Sequence, residues 1–135
     1  SALYASKLVS YAQGFAVLQK ASESFGWDLD LASIARMWRG GCIIRSIFLN
    51  DIAAAFEAQQ KPKHLLLAPY FREEIKELLS GWKHLVAHAM KEELPVPAFS
   101  SGAHTFERTD ELRGQFFHEN WTGHGGDTKS GTYNV

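Results

Sequence analysis

The chain has 135 residues, 45% of them hydrophobic and 21% charged, with 14 Lys+Arg against 15 Asp+Glu and a net charge of −1. This length builds one core of ordinary size, and this balance excludes a disordered, collagen-like or disulfide-framework chain and any attraction to nucleic acid or anionic membrane by net charge. The single cysteine, Cys42, leaves no internal disulfide, which fits a reducing cytoplasmic compartment, and no apolar run approaches the roughly 20 residues of a membrane span.

Tyr4, Leu8, Tyr11, Phe15, Leu18, Ser22 and Phe25 recur at steps of four and three, which predicts a first helix closed by Gly26. Asp30 stands as the N-cap of a second helix carried by Leu31, Ile34, Ala35 and Trp38, which weakens or kinks at Gly40-Gly41. From Cys42, the residues Ile43, Ile44, Ile47, Phe48, Ile52 and Phe56 predict a third helix that ends in the polar stretch Gln59 to Lys63. A fourth spans about Tyr70 to Glu92. It turns Phe71, Ile75, Leu78, Leu79, Trp82, Leu85, Val86 and Ala89 inward and is closed off by Pro95 and Pro97.

The composition changes after Ser101. The last 34 residues hold six of the eleven glycines, yet also Phe106, Phe116, Phe117, Trp121 and Tyr133. The expected organisation is therefore an all-α domain over 1–101 and an extended, glycine- and aromatic-rich tail over 102–135. Five large aromatics do not stay solvated in a polar arm, so the tail is expected to bind something. It either packs on its own helices or lies in a groove of another subunit, where glycines permit close backbone approach, and the residues alone leave both open. A start at Ser1 in place of Met reads as a piece of a longer chain.

Few residues suggest chemistry. His84, His88 and Glu92, at i, i+4 and i+8, share one helical stripe as zinc ligands do, but no fourth ligand follows at a recognisable spacing. A solvated face is the better reading, and no metal is expected. Cys42 beside Ile43 and Ile44 reads as a small core residue rather than a reactive thiol. Arg36, Arg39 and Arg45, spread over ten residues, cannot all face one anion on a helix, and pairing with Asp28, Asp30 and Asp51 is the better reading. The Gly123 to Gly126 stretch lacks the strand and helix of a phosphate loop. His104, His118 and His124 could each contact a phosphate or move a proton. No Ser/His/Asp set, paired catalytic carboxylates or nucleotide glycine loop can be assembled. Composition alone also admits a stand-alone helical interaction module without catalysis.

Several strings, in order, resemble the C-terminal part of the 6-phosphogluconate dehydrogenase family: ALYASK and SYAQGF (Ala2 to Phe15), MWRGGCIIRSIFL (Met37 to Leu49), GAHTFER (Gly102 to Arg108) and NWTGHGG (Asn120 to Gly126). The resemblance implies the second half of a duplicated helical domain plus a tail that penetrates the partner of a homodimer. It also implies an NADP-dependent oxidation and decarboxylation of 6-phosphogluconate whose catalytic residues lie in portions absent here. By the same resemblance, His104 contacts the partner subunit's substrate, and Ser130, Gly131, Thr132 and Tyr133 lie near the partner's NADP. One departure stands out: the family carries a further helical stretch with a substrate-gripping arginine before GAHT, whereas here Ser101 runs straight into Gly102. Arg108 and Arg113 do not occupy that arginine's motif position.

Overall fold

Gly26 ends the first helix as its sequence position predicts: at φ +64° it takes the left-handed conformation, and its N–H closes on the carbonyl of Ser22. The computed structural model describes residues 1–110, with residues 104–110 described by their backbone only. Its elements are α1 (Ala2–Phe25), α2 (Leu31–Arg39), α3 (Leu49–Glu57), a 3₁₀ turn (Leu65–Leu67), α4 (Pro69–Lys91) and α5 (Pro97–Asp110). Among the described residues all regular structure is helical, in line with the expected class.

Helix α2 starts at a side-chain cap. Asp30 Oδ1 accepts the N–H groups of Ala32 at 3.1 Å and Ser33 at 3.2 Å, satisfying two of the four donors a helix start leaves open. The Ser33 hydroxyl also donates to this carboxylate, and these bonds hold its pKa below the ordinary aspartate value. Just before it, the Leu29 N–H donates to Ser22 Oγ at 2.8 Å, tying the connection back to the last turn of α1.

The third helix begins later than its apolar spacing predicts. Residues 42–48 form turns closed by three-residue bonds, Arg45 N–H to Cys42 O at 3.1 Å and Leu49 N–H to Ser46 O at 3.3 Å, and α3 starts only at Leu49. Gly40 ends α2 and Gly41 sits at φ +92°, a conformation that redirects the chain and is open to glycine at little cost. Ile43 is wholly exposed and Ile47 is 79% exposed, so half of the presumed apolar stripe is surface.

Helix α4 opens with Pro69 in its first turn, where a missing N–H costs nothing, and buries Phe71, Ile75, Trp82 and Ala89; Leu85 is exposed. Its chain leaves through Glu93 at φ +56°, and the Leu94 N–H closes on Ala89 O at 2.8 Å. Pro97 is no stop signal here: it is the first residue of α5, and the Ser100 N–H bonds to Val96 O at 3.1 Å. Helix α5 crosses the expected start of the tail at Gly102 and continues to Asp110, so the GAHT string is helical. The rest of the predicted tail lies outside the described residues.

Helix α1 is the central strut, packing on α4, α5, the 3₁₀ turn and α2, while α2 and α3 form a hairpin beside it. The core joins Leu8, Val9, Ala12 and Phe15 of α1 to Ile52 and Phe56 of α3, to Leu65 and Leu66 of the turn, and to Phe71, Ile75 and Trp82 of α4. The Phe15 ring lies 5.0 Å from Trp38 and 5.6 Å from Phe56, tying α1 to both arms of the hairpin. Small residues (Ala5, Ala12, Ala35) let the helices approach closely at the remaining crossings.

Candidate functional site

Two places concentrate residues singled out by sequence: the turn segment 40–48 with the α1 face beneath it, and the crossing where α5 lies on α1 and α4. At the first, the Tyr11 hydroxyl donates to the carbonyl of Ile44. The Phe48 ring meets Tyr11 edge-on at 4.9 Å and Tyr4 at 6.0 Å. The Lys7 ammonium lies 5.8 Å and 5.7 Å from the Tyr11 and Phe48 rings, within cation–π range. Burial, then the neighbouring Cys42, raise the Tyr11 pKa, so the phenol stays a donor and holds the loop. Sequence reasoning missed Lys7 and placed Tyr11 only as a core residue; a tyrosine bonded to a backbone carbonyl 33 positions away leaves no local signal.

Cys42 itself is half-buried and free rather than part of the core. Of the three arginines, Arg36 pairs with Glu57 across the α2–α3 hairpin, not with Asp28 or Asp51 as its partner; Asp30 adds only a weaker attraction. Glu57 raises the Arg36 pKa through this hydrogen bond and its charge. The pair is half exposed on both sides, so it fixes geometry more than it stabilises.

His84, His88 and Glu92 lie exposed along α4 and at its end. Among the described residues no group of three or more His, Cys, Asp or Glu could hold a metal ion, and no helix is long and apolar enough to cross a membrane. A cleft of about 180 Å³ opens between the end of α1 and the start of α2, lined by Ser22, Glu23, Asp30, Phe56 and Lys61. A wider groove beside the start of α4 is bordered by Asp51, Ala55, Pro62 and Tyr70. Burial, and next the hydrogen bond with Tyr4, raise the Tyr70 pKa, so this hydroxyl too stays protonated near neutral pH. In the first cleft Ser22 Oγ accepts the Leu29 N–H and Asp30 Oδ1 accepts those of Ala32 and Ser33, so these groups hold backbone in place.

The second place carries the one expected contact residue that falls within the described chain. Gly102 and Ala103 are buried where α5 crosses α1 and α4, and the backbone of His104 follows directly on the same helix. Trp82 of α4 is fully buried against this crossing. Ser130, Gly131, Thr132 and Tyr133 lie outside the described residues, as do His118 and His124.

A family model described as 6-phosphogluconate dehydrogenase, C-terminal domain, matches residues 1–102. The chain is 48% identical to the decarboxylating 6-phosphogluconate dehydrogenase of Treponema pallidum, 43% to that of Haemophilus influenzae and 40% to that of Homo sapiens, in each case over 99% of this chain and 33% of the relative. The chain thus spans about a third of the length of the curated relatives it matches. Each of these alignments runs over 159 residues although the chain has 135, so the relatives carry internal residues that this chain lacks. Among solved structures, a 6-phosphogluconate dehydrogenase of Plasmodium falciparum, determined in its apo form, with NADP+ and with 6-phosphogluconate, aligns with a TM-score of 0.77 and 37% identity over 91% of this chain and 27% of that one.

Proposed function

Since the chain belongs to the family of the 6-phosphogluconate dehydrogenase C-terminal domain, we propose that it serves an NADP-dependent, decarboxylating 6-phosphogluconate dehydrogenase. In that reaction the C3 hydroxyl of 6-phosphogluconate loses hydride to NADP, and the resulting 3-keto acid releases CO2 to give ribulose 5-phosphate. The observation that carries the reading is the match over residues 1–102 together with 48% identity to a decarboxylating relative along essentially the whole chain. The same match sets aside the stand-alone interaction module.

In this reading the domain is scaffold and partner contact, not the seat of the chemistry. No described residue forms a nucleotide cradle: Gly40 and Gly41 join a helix to a turn segment, whereas a phosphate loop links a strand to a helix N-terminus. As the family resemblance implies, NADP is held mainly by other parts of the enzyme, with Ser130 to Tyr133 reaching the partner's coenzyme. The enzyme is a cytoplasmic homodimer, and His104 meets the substrate bound by the neighbouring subunit, so each active site depends on two chains. A histidine there can donate to a phosphate or hydroxyl oxygen and orient the sugar chain for hydride loss.

Steady-state kinetics of the full dehydrogenase carrying His104→Ala test this. A site that loses a substrate hydrogen bond is expected to lose about tenfold or more in kcat/KM, most of it as a higher KM for 6-phosphogluconate. A dimer with wild-type catalytic efficiency would remove His104 from the site.

A further inference from the structure

Glycine in the middle of a helix is costly, because it gives up more backbone freedom than any other residue, so an interior one calls for a reason in packing. Gly102, the sixth residue of α5, has one. A methyl group at this position would fall 2.9 Å from Cζ2 and 3.1 Å from Cη2 of the Trp82 ring, and 3.9 Å from Cγ1 of Val9. The first two separations are too short for carbon atoms in contact, and the tryptophan has little room to yield. It is fully buried among the side chains of α1 and α4, and its indole N–H has no acceptor among the described residues, so the ring is held by shape. Helix α5 therefore rests against the Cζ2 and Cη2 atoms of Trp82 through a position with no side chain, and Ala103, which follows it, is also buried. His104 is the next residue.

We propose that Gly102 and Trp82 are positioning residues for His104: the ring-on-backbone contact fixes how far α5 stands from α4, and thereby where the substrate histidine is carried. The inference rests on the reading of His104 given above. It adds that substrate affinity is set by a buried contact which itself touches no ligand. Because a displacement of about 1 Å at a reacting group can cost as much as a hundredfold in rate, a side chain wedged under α5 is felt at the site.

The test is kinetic, on the full dehydrogenase, with 6-phosphogluconate and NADP as the varied substrates. Gly102→Ala is expected to raise KM for 6-phosphogluconate about tenfold while KM for NADP stays within about twofold, a split that general destabilisation does not produce. The double variant Gly102→Ala/Trp82→Phe, whose shorter ring withdraws the atoms the methyl meets, is expected to recover most of that loss. An unchanged KM for 6-phosphogluconate in Gly102→Ala, or a loss the double variant does not recover, overturns the proposal. Should Gly102→Ala fail to fold, Trp82→Phe alone decides: a raised KM for 6-phosphogluconate with KM for NADP unchanged supports the positioning role, and wild-type values for both overturn it. His104→Ala run in parallel separates the two layers, since a silent His104→Ala refutes the substrate contact, whereas an impaired His104→Ala beside a silent Gly102→Ala refutes only the positioning.

Discussion

Truncating Phe15 to alanine is the sharpest probe of how α1 holds the helical hairpin. The ring is fully buried, and it lies 5.0 Å from Trp38 on α2 and 5.6 Å from Phe56 on α3. Removing a buried phenylalanine forfeits about 1.5–3 kcal/mol of transfer energy. The cavity left between three helices raises the usual loss to about 3–5 kcal/mol. The two tilted ring contacts, at about 0.5–1.5 kcal/mol each beyond area, put Phe15→Ala toward the upper end of that range. Against a typical folding stability of about 5–15 kcal/mol, the variant sits near the edge of folding. Urea titration followed by far-ultraviolet circular dichroism, with tryptophan emission as a second probe, reads the loss as a lower midpoint at unchanged slope. Ile43→Ala, at a fully exposed position, is the control and is expected to fall within about 0.5 kcal/mol of wild type. A Phe15→Ala loss below about 1 kcal/mol would refute the claim that this ring joins α1 to both arms of the hairpin.

Gly26→Ala forces an L side chain into the left-handed region and is expected to cost about 1–2 kcal/mol in a thermal melt, with no change in secondary-structure content. Asp30→Ala should destabilise the start of α2 at neutral pH, while Asp30→Asn, which keeps an acceptor, should cost less. The Asp30 pKa is depressed in the folded state, so its contribution is fully present above the unfolded carboxylate value and fades as pH falls through the folded one. The gap between wild type and Asp30→Ala, measured by urea titration at falling pH, must therefore narrow in acid; a gap that widened would reverse the sign. Tyr11→Phe removes the hydroxyl that holds Ile44, at about 1 kcal/mol, and amide hydrogen exchange should speed up in residues 42–48 before any other part of the domain.

What the sequence disclosed here is what local chemistry decides. The Gly26 stop and the Asp30 cap are each settled by one residue and its near neighbours, and both stand in the structure as expected. The start of α3 was hidden because Ile43, Ile44 and Ile47 repeat at helical spacing while lying at the surface, and spacing alone does not separate a core stripe from an apolar turn. Pro97 was ambiguous for a different reason: proline ends one helix and opens another with the same ring, and which it does depends on the chain that follows. The Gly102–Trp82 contact joins residues twenty apart on different helices, and a glycine leaves no periodic mark, so only coordinates bring it to light. Family membership was legible from the long strings because their residues follow one another directly.

The order in which the helices come off the ribosome differs from the order in which they find their partners. Helices α2 and α3 follow each other within ten residues and can close on one another early. Helix α1, made before the other helices of this domain, has its main partners in α4 and α5, and α4 begins 44 positions after α1 ends. At about 5–20 residues per second, the face carrying Leu8, Val9, Ala12 and Phe15 waits for several seconds with part of its cover not yet synthesised. During that interval the apolar side of α1 is open to non-native contacts, which α4 and α5 later close off.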